Sequence, residues 1–220
     1  MHNALVLGAS GGIGEALADH LEAHCTKVTR LSRAEGLDYD DPARAEATLA
    51  ALDGPFHTIV IATGALEPGG HAPEKALRQI DATALARHFA VNTIGPALVL
   101  KHAPRLLPRG ERAVLAALSA RVGSIGDNRL GGWHGYRAAK AALNQLVNGA
   151  AIELARSHRA AICVALHPGT VATRLTETHG NGHARTPPDE AAANLLGVLA
   201  GLTPNDTGRF FDWQGKPVPW

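Results

Sequence analysis

The strongest constraint on this chain sits near its start. Asn3-Ala4-Leu5-Val6-Leu7 is a short apolar run, and Gly8-Ala9-Ser10-Gly11-Gly12-Ile13-Gly14 follows it. Glu15 to Glu22 then has the apolar spacing of a helix. A strand buried on both faces reads as such a continuous apolar run. The order strand, glycine loop, helix is the setting of a dinucleotide fingerprint, here with spacing G-x-x-x-G-x-G rather than G-x-G-x-x-G. Gly8 allows the tight turn, while Gly12 and Gly14 leave room for a pyrophosphate and for close packing of helix on strand. The helix N-terminus adds amide donors and a dipole that favours phosphate.

The rest of the chain repeats the alternation. Strands are expected at 27–31, 36–39, 56–61, 112–118, 160–166 and 208–211. Helices are expected from Asp41-Pro42 to Leu52, over 81–107, over 134–156 and from Pro187-Pro188 onward. Asp41 is an N-cap with proline at the first helical position. Gly95-Pro96 should distort the 81–107 helix beside Asn92, whose side chain is then either solvated or bonded to backbone. Residues 174–185 are polar and glycine-containing and read as a mobile loop. No linker, repeat or charge run divides the chain. The expectation is one doubly wound α/β domain over 1–220, a mostly parallel sheet flanked by helices.

Past the second strand stand Ser32 and Arg33. An NAD-preferring site wants an acid there for the ribose 2′-OH, whereas a hydroxyl and a guanidinium suit a 2′-phosphate. NADP(H) is therefore expected over NAD(H). Ala62-Thr63-Gly64 ends the strand at 56–61 with residues small enough for a ligand to approach the backbone. Ser119 lies at the C-terminal end of the 112–118 strand, the end at which open parallel sheets bind ligands.

Tyr136 and Lys140 form a Tyr-x-x-x-Lys pair on the 134–156 helix. Positions i and i+4 share one helix face. A phenol ordinarily titrates near pH ~10. An ammonium beside it lowers that value and suits it to acid–base work on a substrate oxygen.

Composition excludes other classes. Lys+Arg 21 against Asp+Glu 20 leaves a net charge of +1, with no basic stripe for nucleic acid or an anionic membrane. No apolar run reaches the ~18 residues of a membrane span. The N-terminus shows no basic region or cleavage site, so a cytoplasmic location is expected. Cys25 and Cys163 read as incidental thiols rather than a disulfide. The 12 histidines are scattered, read as surface or incidental, and no metal site is expected.

Taken together, these motifs resemble the short-chain dehydrogenase/reductase family. The Gly8/Gly12/Gly14 loop, Ala62-Thr63-Gly64, Asn92, Ser119, Tyr136 with Lys140, and Pro168-Gly169 occur in family order. Ser119-Ala120-Arg121-Val122-Gly123-Ser124-Ile125 and Phe210-Phe211-Asp212-Trp213-Gln214-Gly215 resemble its C-factor and sniffer-like carbonyl reductase branch. The resemblance implies hydride transfer between a nicotinamide and a small carbonyl or alcohol. Tyr136 would be the acid–base residue, Lys140 its electrostatic partner, and Asn92 the holder of a relay water. Cofactor contacts are implied at Gly8, Ser10, Gly11, Gly12, Ile13, Gly14, Ser32, Arg33, Asp38, Ala62, Thr63, Gly64, Tyr136, Lys140, Pro168, Gly169, Val171 and Thr173. The family's serine position corresponds to Ala120. Ser119 is one residue early, a step that turns a side chain to the other face of a strand, and Ser124 is the alternative. A non-catalytic NADP-binding signalling protein of the C-factor type is the other reading, and the intact Tyr136/Lys140 pair favours the enzyme.

Small residues surround much of the 134–156 helix, among them Ala138, Ala139, Ala142, Gly149 and Ala151. Leu143, Leu146, Val147 and Ile152 add apolar groups on more than one side. A helix apolar over so much of its circumference wants a second partner, so a homodimer or homotetramer is expected.

Overall fold

The computed structural model describes residues 2–177 and 185–220. Its centre is one six-stranded parallel sheet: β1 (Asn3–Leu7), β2 (Lys27–Leu31), β3 (Thr58–Ile61), β4 (Ala113–Leu118), β5 (Ala161–His167) and β6 (Phe210–Asp212). The strand order is β2-β1-β3-β4-β5-β6. The chain winds outward from β1 to one edge, then returns and winds to the other. The order reverses between β1 and β3, and a crevice opens there at the carboxyl ends of the strands.

Side-chain alternation along the strands divides the core. Leu5, Leu7, Ile59, Ile61, Leu115 and Cys163 face one side. They are covered by α2 (Pro42–Ala50), α4 (Gly95–Leu106) and α5 (His134–Leu154), through Leu49, Val99, Leu106, Leu143 and Val147. Val60, Val114, Ala116, Ile162 and Val164 face the other side. They meet α1 (Gly12–Glu22) and α6 (Pro188–Gly201) through Leu17, Leu195 and Leu199. Strands apolar on both faces are what a sheet with helices on both sides requires. The remaining helix, α3 (Ala82–Phe89), packs against α5.

Two elements differ from the sequence expectation. No strand forms over 36–39. Gly36 takes a left-handed φ of 97°, and Leu37 N–H donates back to Ser32 O at 3.0 Å, so the chain turns instead of extending. β2 is consequently the sheet edge, and Leu37 to Tyr39 lie over the crevice. The helix expected over 81–107 is divided. Between α3 and α4, residues Ala90–Ile94 form a π-helical turn, and Gly95 N–H reaches Ala90 O. The physical reason is Pro96. It has no N–H to donate to Asn92 O, so the regular ladder cannot run through this point. The other helices stand close to their expected bounds. Of the segment read as a mobile loop, 174–176 is a short 3₁₀ turn, and 178–184 lies outside the described residues.

Gly95 is the joint of this irregular region. A Cβ there would overlap the Tyr39 ring. Gly95→Ala should therefore cost roughly 1–3 kcal/mol of stability through overpacking. The check is the urea midpoint at unchanged m-value; an unaltered midpoint would mean that Tyr39 does not pack where the structure has it.

Candidate active site

The crevice at the switch point holds two cavities that meet at Ala62, Thr63 and Gly64. The outer one, ≈ 730 Å³, has Gly8, Ser10 and Gly11 on one wall and Ser32, Arg33 and Asp38 at its far end. The inner one, ≈ 120 Å³, is lined by Ile13, Ser119, Ala120, Tyr136, Lys140 and His167, and by Pro168, Gly169, Val171 and Thr173. Backbone contact makes the junction. Ala62 N–H donates to Leu7 O at 2.8 Å, and a Cβ on Gly8 would stand 2.9 Å from Ala62 C. Gly12 and Gly14 line neither cavity. A Cβ on Gly14 would overlap Gly8 O, and one on Gly12 would stand 2.9 Å from Thr173 Cγ2. These two glycines let α1 close on the loop and let the segment after β5 close on α1.

On α5, Tyr136, Lys140 and Asn144 follow one another at i, i+4 and i+8, and all three are buried. Lys140 Nζ donates to Leu118 O at 2.9 Å and lies 5.8 Å from the Tyr136 ring centre. Ser119 Oγ donates to Asn144 Oδ1 at 2.6 Å. Asn144 Nδ2 donates to Gly123 O at 3.3 Å, which ties the loop after β4 to the helix. Ser119 is thus brought beside Tyr136 and Lys140. Ser124 is not: its hydroxyl donates to Pro219 O, and it lines neither cavity.

Asn92 is fully buried in the π turn. Its side chain accepts from Ala65 N–H at 3.0 Å and donates to Ala65 O at 2.9 Å. Of the two expectations for this side chain, backbone bonding is the one observed. It fixes the chain just past Gly64, where an added Cβ would stand 3.2 Å from Asn92 Oδ1 and 3.3 Å from Lys140 Nζ.

The N-terminus of α5 is held from a distance. Glu74, 5% exposed, accepts from Gly135 N–H through both carboxylate oxygens, at 3.3 and 3.1 Å. Its backbone carbonyl accepts from Trp133 N–H, and Trp133 adopts a left-handed φ of 51°. A carboxylate at a helix N-terminus is favoured by the helix dipole.

Burial governs the electrostatics. It pushes the Tyr136 phenol well above its ordinary value and pushes Lys140 down to about 8. The expected lowering of the phenol by the ammonium is therefore not found in this state, because desolvation outweighs attraction when both groups are buried. Burial likewise takes His167 down to about 4 and lowers His88, whose ring centre is 6.0 Å from that of Tyr136. Of the histidines read as surface or incidental, His57, His88, His102 and His158 are buried and His167 is largely so, which leaves the surface half of that reading wrong for these five. The sequence reading missed Asn144, Glu74 and His167. The first carried a signal, since it continues the Tyr136/Lys140 spacing by four, and His167 directly precedes Pro168-Gly169. Glu74 carried none. Among the described residues no cluster of metal-ligating side chains occurs, and no helix is long and apolar enough to cross a membrane.

A family model described as enoyl-(acyl carrier protein) reductase matches residues 13–208, and the chain belongs to the short-chain dehydrogenase/reductase family, a class of NAD(P)-dependent oxidoreductases. Within that class it is similar to C-signal and to carbonyl reductases of solved structure. It is 37% identical to C-signal of Myxococcus xanthus over 145 residues, which are 66% of this chain and 84% of that one. NADPH-bound carbonyl reductase from chicken fatty liver superposes with a TM-score of 0.82 at 26% identity, covering 100% of this chain and 99% of that one. The carbonyl reductase Sniffer of D. melanogaster shares the fold, with a TM-score of 0.79 at 21% identity and 100% of each chain covered. Two further curated relatives are spanned over 61% and 57% of their own lengths.

Lys140 supplies a stability test of this geometry. Burial lowers its pKa from 10.5 to about 8, so the unfolded chain binds that proton more tightly than the folded one. The penalty is fully present below pH 8 and is relieved as pH rises towards the ordinary lysine range. The stability of the wild type relative to Lys140→Met should therefore rise between pH 8 and about 10. Paired denaturant titrations across that range check this; a pH-independent difference would place the ammonium in water.

Proposed function

We propose that this chain is an NADP(H)-dependent reductase of small carbonyl compounds, with Tyr136 as its acid–base residue. The observation that carries the reading is that Tyr136 and Lys140 line an inner cavity continuous with the glycine-loop crevice through Ala62 to Gly64. The outer cavity fits a dinucleotide. It has the volume of a cofactor site, a wall of backbone without side chains at Gly8 and Gly11, and a guanidinium at its far end. Gly8, Ser10, Gly11 and Ile13 would hold the pyrophosphate side, and Ser32, Arg33 and Asp38 the adenosine. Pro168, Gly169, Val171 and Thr173 would flank the nicotinamide, which when bound supplies or accepts the hydride. Gly12 and Gly14 act through packing.

In the reductive direction Tyr136 gives its proton to the carbonyl oxygen. Burial raises the pKa of the phenol, so it holds its proton until charge develops on a reacting oxygen beside it. Ser119, whose hydroxyl proton goes to Asn144 Oδ1 here, would turn that proton to the same oxygen to orient it. Lys140 would hold the cofactor ribose and return a proton to the phenol. Asn92 O, which Pro96 cannot bond, is the place for a relay water. The inner cavity is small, which favours compact substrates, and the His167 imidazole that lines it is neutral at physiological pH. NADP over NAD is supported by Arg33, whose side chain is 76% exposed beside the crevice, and by the NADPH-bound carbonyl reductase the chain resembles. The likeness to C-signal favours a second reading, an NADP-binding signalling protein, but such a protein has no need of a buried Tyr136/Lys140 pair.

Tyr136→Phe should reduce turnover of aldehydes or ketones by ~10²–10⁴-fold while leaving NADPH binding nearly unchanged. Steady-state NADPH oxidation and fluorescence titration measure the two. Retention of more than about a tenth of the wild-type kcat would refute the role.

We also propose that the chain works as a homodimer or homotetramer, as one nucleotide-binding domain per chain. Leu146 and Ile152 stand 37% and 57% exposed on α5, and Ile94 stands 50% exposed in the π turn. Light scattering should give a multiple of 22.9 kDa; that mass alone, with or without NADPH, would assign these side chains to the surface of a monomer.

A further inference from the structure

We infer that Glu35 determines cofactor discrimination: its carboxylate sits in the anion seat beyond β2 and contests that seat with the 2′-phosphate. The inference rests on the nucleotide-binding reading above and goes beyond it. Ser32 faces the crevice, yet both of its donors are already used. Ser32 N–H donates to Glu35 Oε2 at 2.8 Å, and Ser32 Oγ–H donates to the same oxygen at 2.5 Å. Both Ser32 donors converge on that one carboxylate oxygen, and Ala34 N–H donates to Ser32 Oγ at 3.3 Å, which fixes the hydroxyl.

The turn is built to stay. Gly36 N–H donates to Arg33 O at 3.1 Å, and Gly36 has a left-handed φ where a Cβ would stand 2.6 Å from Thr48 Oγ1. Arg33 does not neutralise Glu35. The ion pair it makes is with Asp38, at 3.7 Å. The two hydrogen bonds from Ser32 hold the Glu35 carboxyl below its usual range, so it is charged at neutral pH.

An arriving phosphate needs the donors that Glu35 occupies and meets a like charge there. Glu35 is exposed and can swing out, so the phosphate is admitted at a cost that a bare ribose hydroxyl does not incur. Ser32 and Arg33 attract NADP; Glu35 limits how strongly it is preferred over NAD.

Binding of adenosine 2′,5′-bisphosphate and of 5′-AMP to the full chain separates the effects without turnover. Calorimetric titration should show Glu35→Gln and Glu35→Ala each raising bisphosphate affinity about tenfold, with 5′-AMP affinity changed less than about twofold. Thermal melts confirm that both variants fold. Equal bisphosphate affinity in all three proteins would overturn the proposal. So would weaker bisphosphate binding by the variants, which would make Glu35 a builder of the seat and not its occupant. If the wild type bound neither ligand, the nucleotide-binding reading would fail and this one with it. If 5′-AMP bound normally, only the role of Glu35 would be at issue.

Discussion

The arrangement depends on backbone meeting backbone at the switch point of the sheet. Leu7 and Ala62 are joined by a hydrogen bond, and Gly8 turns against the Ala62 carbonyl carbon with no room for a side chain. α1 then closes on Gly8 through Gly14. Polar main chain is thereby gathered at the floor of a crevice where packed side chains would otherwise stand. The left-handed φ of 84° at Gly8 is open to glycine at little steric cost. A larger residue there would strain the turn and separate β1 from β3.

The inner cavity depends on a second set of constraints, which act on α5. The helix is fixed at its start by the Glu74 carboxylate, in its first turns by the Lys140 bond to Leu118 O, and one turn further by Asn144. Thr93 in the π turn adds a fourth restraint by donating to Ala139 O at 2.8 Å. Three segments distant in sequence, at Glu74, at Thr93 and at Leu118-Ser119, therefore set where the Tyr136 phenol points. Restraint of this kind limits the conformational freedom that a proton-transfer group would otherwise lose on each turnover.

Desolvation is the consequence. Tyr136 and Lys140 are both held out of water, and each is pushed towards its neutral form. The simple picture of an ammonium drawing a proton off a neighbouring phenol does not describe this state. The pair's attraction is strong in a low dielectric, but so is the cost of creating either charge there. Charge brought by a ligand or a reacting oxygen would alter that balance within the same cavity.

Much of this was legible in the chain. The alternation of apolar strands with amphipathic helices carries the fold, because periodicity records which faces are buried. The glycine loop and the Tyr136/Lys140 spacing carry the site, because local geometry places both. Pro96 carries the break in the 81–107 helix, since a missing N–H is a covalent fact. Other features came only with the tertiary structure. Residues 36–39 have strand composition but turn back, because Ser32 and Gly36 close the chain on itself, and β2 is left as the sheet edge. Ser119 reaches the cavity although strand alternation would turn it away, because Asn144 from another element takes its hydroxyl. Glu74 caps a helix through Gly135, sixty-one residues later in the chain, and Glu35 fills a seat that Ser32 and Arg33 alone would leave to a phosphate. Sequence reports periodicity and local geometry. Which distant polar group meets which is decided only when the sheet brings them together.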